Sequence, residues 1–71
     1  MQVQIIGKFY ALPHSREYEI HQADGTVTFG KIYKDVSLEL IQELNAFQTL
    51  CVATVVHVGR QPPMLTAIRA A

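Results

Sequence analysis

The dipeptide Asp24-Gly25 is the strongest constraint on what this chain can fold into. Before it, residues 17–22 (EYEIHQ) alternate, with Tyr18 and Ile20 on one side and Glu17, Glu19 and His21 on the other. After it, residues 26–34 return as a second β-branched and aromatic run. Asp-Gly supplies the positive backbone φ angles of a tight hairpin turn, so the two runs are expected to pair antiparallel. A parallel pairing would need a crossover of about a dozen residues or more, and no such length lies between them.

Further elements build around that hairpin. Residues 2–12 (QVQIIGKFYAL) read as a long strand that Pro13 stops, with residues 13–16 as the first loop. Gly7, in the middle of that strand, marks either a bend or a tolerated edge glycine. The period changes at Ser37, where Leu40, Ile41, Leu44 and Phe47 fall on one face of a helix expected to run to residue 46 or 47. Ser37 is its cap, and Glu39 stands in the first turn, where the helix dipole favours an anion. Residues 49–58 (TLCVATVVHV) form a buried strand, residues 59–63 (GRQPP) a turn, and residues 64–69 a last strand. Five strands with one helix between the third and fourth is the order of a small, mainly β, OB-type Greek-key barrel, an architecture used to bind oligonucleotides and oligosaccharides.

The 71 residues make one domain, 1–71, near the lower size limit for a single core. Little interior remains for a catalytic apparatus, so a binding module and not an enzyme is expected. His14, His21 and His57 lack the close spacing of a metal site, Ser15 beside His14 has no third orienting group, and there is no phosphate-cradling glycine loop. Neither catalytic residues, metal nor cofactor are therefore expected. The single cysteine, Cys51, sits among apolar neighbours and reads as a small buried hydrophobe. No leader opens the chain and no apolar run approaches the roughly 20 residues that span a bilayer. These features predict a soluble, cytoplasmic protein.

The formal net charge is zero, with six basic and six acidic residues. Asp35, Glu39 and Glu43 lie in or beside the helix, which leaves three acids against all six bases elsewhere. That distribution is compatible with a modestly positive sheet and equally with an ordinary balanced surface.

The sharpest functional signal is Phe29-Gly30-Lys31-Ile32-Tyr33-Lys34. Strand alternation puts Phe29, Lys31 and Tyr33 on one face and Ile32 with Val36 on the other, unless Gly30 bulges and reverses the facing. Aromatic rings interleaved with cations are how single-stranded nucleic acid is held, bases stacking on the rings and phosphates meeting the ammonium groups. Lys8 and Tyr10 repeat the mixture on the first strand, opposite Phe9 and Ile5, and Tyr18 is nominated to the same platform. Arg16 in the first loop and Arg60 in the last stand where loops would close over a ligand strand.

The segments QIIGKFYAL, EYEIHQADGTVTFGKIYK, SLELIQELNAF and VATVVHVGRQPPMLTAIRA together resemble, in pattern and order, the small OB-type single-stranded DNA-binding proteins of phages and mobile elements. The resemblance implies short barrels that coat replication or recombination intermediates without sequence preference, often as homo-oligomers. The chain departs from the larger members in lacking an acidic, flexible C-terminal tail, so no recruiting role is expected of its C-terminus. Two other readings stay open: a small phage-type interaction or inhibitor module that pairs with a host protein, favoured by the zero net charge, and an RNA-binding barrel, since the same platform accepts either sugar.

Overall fold

Strand β1 (Gln2–Leu12) is shared by two antiparallel ladders. Its first half pairs with β4 (Leu50–Val56), from Gln2 opposite Val56 to Lys8 opposite Leu50. Its second half pairs with β2 (Glu17–His21), from Lys8 opposite His21 to Leu12 opposite Glu17. Gly7 stands at the handover, and a Cβ there would lie 2.6 Å from the His21 carbonyl oxygen and 2.7 Å from Ile20 Cγ2. The missing side chain makes room for β2 where the strand passes from one ladder to the other, so Gly7 is buried there and not a tolerated edge glycine.

In the computed structural model, which covers residues 1–71, the remaining elements are β3 (Val27–Lys31), the helix α1 (Leu38–Leu44) and β5 (Met64–Ala70). The protein is mainly β: five antiparallel strands form one sheet in the order β3-β2-β1-β4-β5. The sheet is not closed into a continuous ladder. Its two outer strands nevertheless approach each other just past β3, where Ile32 forms a single parallel bridge with Leu65 and the Tyr33 N–H donates to the Leu65 carbonyl at 2.8 Å. The first and last strands of one sheet can meet in this way only if the sheet is strongly curled.

The concave side of the curl is the core. Phe9, Ile20, Ile41, Val55, Cys51 and Leu65 are its largest fully buried side chains. Ile32 and Val36 lie in the same cluster, whereas Phe29, Lys31 and Tyr33 are exposed, so Gly30 does not reverse the facing of that segment. Strand β3 ends at Lys31, and Tyr33 and Lys34 belong to the connection that leads to α1. No helix is long and apolar enough to cross a membrane.

The helix is shorter than its apolar spacing predicts. Ser37 caps it as expected, its Oγ accepting from the Leu40 N–H at 3.4 Å, and Ile41 and Leu44 bury against the sheet. It stops at Leu44 because Asn45 turns its amide onto β1, where Oδ1 accepts from the Ala11 N–H at 2.7 Å and Nδ2 donates to the Ala11 carbonyl at 2.9 Å. The Phe47 N–H then donates to the Phe9 carbonyl at 3.0 Å. Strand β4 leaves β1 at Lys8, so beyond that point the β1 backbone would have an open side. Asn45 and Phe47 satisfy it, as main-chain groups near a core must be.

Candidate functional site

The two registers align β1, β2 and β3 into three rows on the outer face of the sheet. Lys8, His21 and Val27 make the first row, Tyr10, Glu19 and Phe29 the second, and Leu12, Glu17 and Lys31 the third. Phe29 is 60% exposed and Tyr10 36%. The β4–β5 connection rises beside these rows, and Gln61, Pro62 and Met64 wall a concavity of about 490 Å³ whose floor includes Tyr10, Leu12, Phe29 and Lys31.

Two inward residues fix that wall. A Cβ on Gly30 would collide with the Pro63 carbonyl oxygen, so only glycine lets the loop come this close to β3. Beneath it, the Tyr18 hydroxyl donates to the same carbonyl at 2.7 Å. Tyr18 is only 2% exposed, and burial pushes its phenol up to about 12. Its nomination as a platform ring is therefore corrected. It packs in the core with Ile20, its alternation partner, and anchors the loop in place of offering a face to a ligand.

The electrostatics of the face depart from the positive sheet that charge distribution allowed. Alternation along β2 sends Glu17 and Glu19 outward into the middle of it. Glu17 accepts from Lys31 Nζ at 2.9 Å, and Glu19 Oε1 lies 2.8 Å from His21 Nε2. The Lys31–Glu17 ion pair is exposed, so it contributes at most about 1 kcal/mol to folding. The larger effect of these side chains is on the surface: with His21 neutral, Lys8 and Lys31 balance Glu17 and Glu19, and the face carries no net charge.

The other nominated residues divide. Arg60 sits on the β4–β5 connection and lines a second, shallower hollow with Thr28, Phe29, His57 and Pro62, so Phe29 is a ridge between two depressions. Arg16 lies outside both hollows; its guanidinium donates to the Tyr33 carbonyl at 2.8 Å and its own carbonyl accepts from the Ile32 N–H at 2.7 Å. It ties the first turn to the segment after β3. Tyr33 and Lys34 are exposed but line neither hollow. The structure therefore gathers Lys8, Tyr10, Phe29 and Lys31 on one face, with Arg60 beside Phe29.

Phe47 is the residue that sequence spacing misassigned. Read as the last apolar position of the helix, it lies beyond the helix end, 39% exposed, with its ring stacked on Tyr10 at a centroid distance of 5.4 Å and an interplanar angle of 22°. The His21 ring meets it edge-on at 4.7 Å. Glu17, Glu19, Leu12 and Met64 also line the concavity, and the outward phase of the strands was their only signal. No group of three or more His, Cys, Asp or Glu side chains comes together as a metal cluster. No family model, curated protein or solved structure matches this chain.

Proposed function

We propose that the protein is a non-catalytic single-stranded DNA-binding module of OB type, acting in the cytoplasm as a homo-oligomer on replication or recombination intermediates. One observation carries the reading: Tyr10 and Phe29 occupy the same cross-strand row, both exposed, on the floor of a concavity walled by the β4–β5 loop. Two rings presented along one row suit a run of unpaired bases, each stacked base being worth roughly 1–3 kcal/mol. The meeting of the outer strands at Ile32 and Leu65 supports the barrel reading of the fold.

The balanced charge of the face decides how such binding works. Phosphate neutralisation cannot dominate, so affinity rests on stacking and falls only gently with salt, with Lys8 and Arg60 supplying the unpaired cations. Glu17 and Glu19 face the bases, whose amino groups donate to carboxylates, as cytosine N4 does to Glu or Asp in duplex recognition. A gel-shift comparison of single-stranded DNA, single-stranded RNA and duplex tests the proposal. A shift of single-stranded DNA that Phe29→Ala weakens about 5- to 150-fold is expected.

The central carboxylates also favour a second reading, an interaction or inhibitor module that takes a basic, extended segment of a host protein into the same concavity. Failure of every nucleic acid to bind would install that reading in place of the first. Equal retention of RNA and DNA would make the protein a general single-strand binder.

A further inference from the structure

Two consecutive residues other than glycine, Ala46 and Phe47, adopt left-handed backbone with φ of 75° and 60°. That region is costly for any L residue and free only for glycine. The hydrogen bonds of this turn come from main-chain groups and Asn45: Asn45 Oδ1 accepts from the Ala46 N–H at 2.8 Å, and the Phe47 N–H bonds to Phe9. Glycine at both positions would keep every one of those hydrogen bonds and remove the strain. Burial does not explain the phenyl ring at 47 either, since it is 39% exposed and lies outside the core cluster. Strain retained in favour of an exposed side chain is a mark of a functional position.

The location of the ring supplies the function. Its main chain bonds to β1 on the side away from β2, and the ring folds back across β1 onto Tyr10 and His21. Tyr10 is the last ring of the row that begins at Phe29, and Phe47 sets a further ring over β1 beside it, against His21 of the neighbouring row. We propose that Phe47 is a further base-stacking residue, and that a bound single strand crosses from β3 over β2 and β1 and ends on the turn after α1. This rests on the nucleic-acid reading above and lengthens the site beyond the concavity.

Fluorescence anisotropy with labelled oligothymidylates of increasing length tests it, alongside urea unfolding of each variant. Phe47→Gly relieves the left-handed strain, so it is expected to unfold at no lower urea concentration than a Phe47→Ala variant, yet to bind long oligothymidylate about 5- to 150-fold more weakly than the parent. The minimum length for full affinity should also shorten. Phe47→Leu keeps an apolar contact on Tyr10 without a stacking face and should lose binding as well, which preserves the test if the glycine variant does not fold. Ala46→Gly should gain stability and bind like the parent. If Phe29→Ala weakens binding while the Phe47 variants bind as the parent does at every length, Phe47 merely shields Tyr10 and the inference is overturned. If the parent itself binds no single strand, the nucleic-acid reading fails and this inference fails with it.

Discussion

The phenol of Tyr18 and the main-chain carbonyl of Pro63, separated by 45 positions in sequence, are joined by a 2.7 Å hydrogen bond across the base of the candidate site. Through that bond the hairpin of β2 and β3 sets the position of the β4–β5 loop. The concavity is thus held from beneath by a residue whose ring is almost wholly buried in the core.

Tyr18→Phe should cost about 0.5–1.5 kcal/mol in urea unfolding, the ordinary worth of one hydrogen bond. A pH effect accompanies it. The phenol is raised to about 12 by burial, so the neutral form is favoured in the folded state. Its contribution is complete below the unfolded value near 10 and is lost as pH rises through about 12. Unfolding midpoints measured across that alkaline window should fall more steeply for the parent than for Tyr18→Phe, and parallel curves would refute the assignment.

Gly30→Ala should destabilise by about 1–3 kcal/mol, because the added methyl meets a backbone carbonyl that cannot swing aside as a flexible side chain would. Amide exchange should accelerate most around residues 61–65, as the loop lifts from β3. A variant as stable as the parent would mean that the loop is not seated on β3 in solution.

The pair of Lys31 and Glu17 makes an unusual prediction for salt dependence. A lysine already neutralised by a carboxylate releases little counterion when it meets a phosphate. Lys31→Ala alone should therefore change the salt slope of single-strand binding by well under the roughly 0.7 unit of a free cation, whereas the same change in a Glu17→Gln background should approach it. Equal effects in both backgrounds would show the pair to be independent.

Cys51 is fully buried, and burial pushes its thiol up, against the opposing pull of the Lys8 charge. The reactive thiolate is thus both scarce and shielded. Labelling by a thiol reagent should proceed only as fast as the protein opens, and should speed up in proportion to the destabilisation in Gly30→Ala. Rapid stoichiometric labelling of the native protein would contradict the packing described for β4.

Self-association is expected through the β1–β4 part of the same outer face, beyond the concavity, where Ile6 opposite Val52 and Leu50 opposite Lys8 leave Ile6 and Leu50 about half exposed. Sedimentation at micromolar concentration should give a dimer or larger, and Ile6→Glu should return it to monomer. A parent that is monomeric across that range would remove oligomerisation from the proposal.

Much of the architecture was legible because its signals are local. Asp24-Gly25 marked one hairpin, although only Gly25 takes a positive φ (88°) and the turn spans residues 22–26 in place of a tight two-residue turn; alternation fixed which side of each strand is buried, and Ser37 marked the helix start. Alternation also placed Tyr18 beside Ile20, so the same pattern that sends Ile20 inward sends Tyr18 with it. The nomination of Tyr18 as a ligand platform set aside a periodicity already in view. Other features need register, which the sequence does not carry. The neutralisation of Lys31 appears only once β3 is aligned with β2, and the balanced face only once Glu17 and Glu19 are set between the two lysines. Phe47 fits helical spacing well. What excludes it from the helix is the reach of the Asn45 amide to a strand far away in sequence, followed by backbone angles that composition does not advertise.

The division of β1 at Gly7 also sets an order in time. The hairpin of β2 and β3 is local and can form within microseconds, and it can then collect Lys8 to Leu12 across a short loop. The other half of the strand must wait for β4, since Gln2 finds its partner only at Val56. Pairings of such long sequence separation are slow. Residues 2–6 are therefore expected to pair last during refolding, leaving a β-branched edge of the kind that recruits other chains. Yield on refolding should therefore depend on concentration more than native stability does, and changes that delay β4, wherever they lie, should be felt first at the opposite end of the chain.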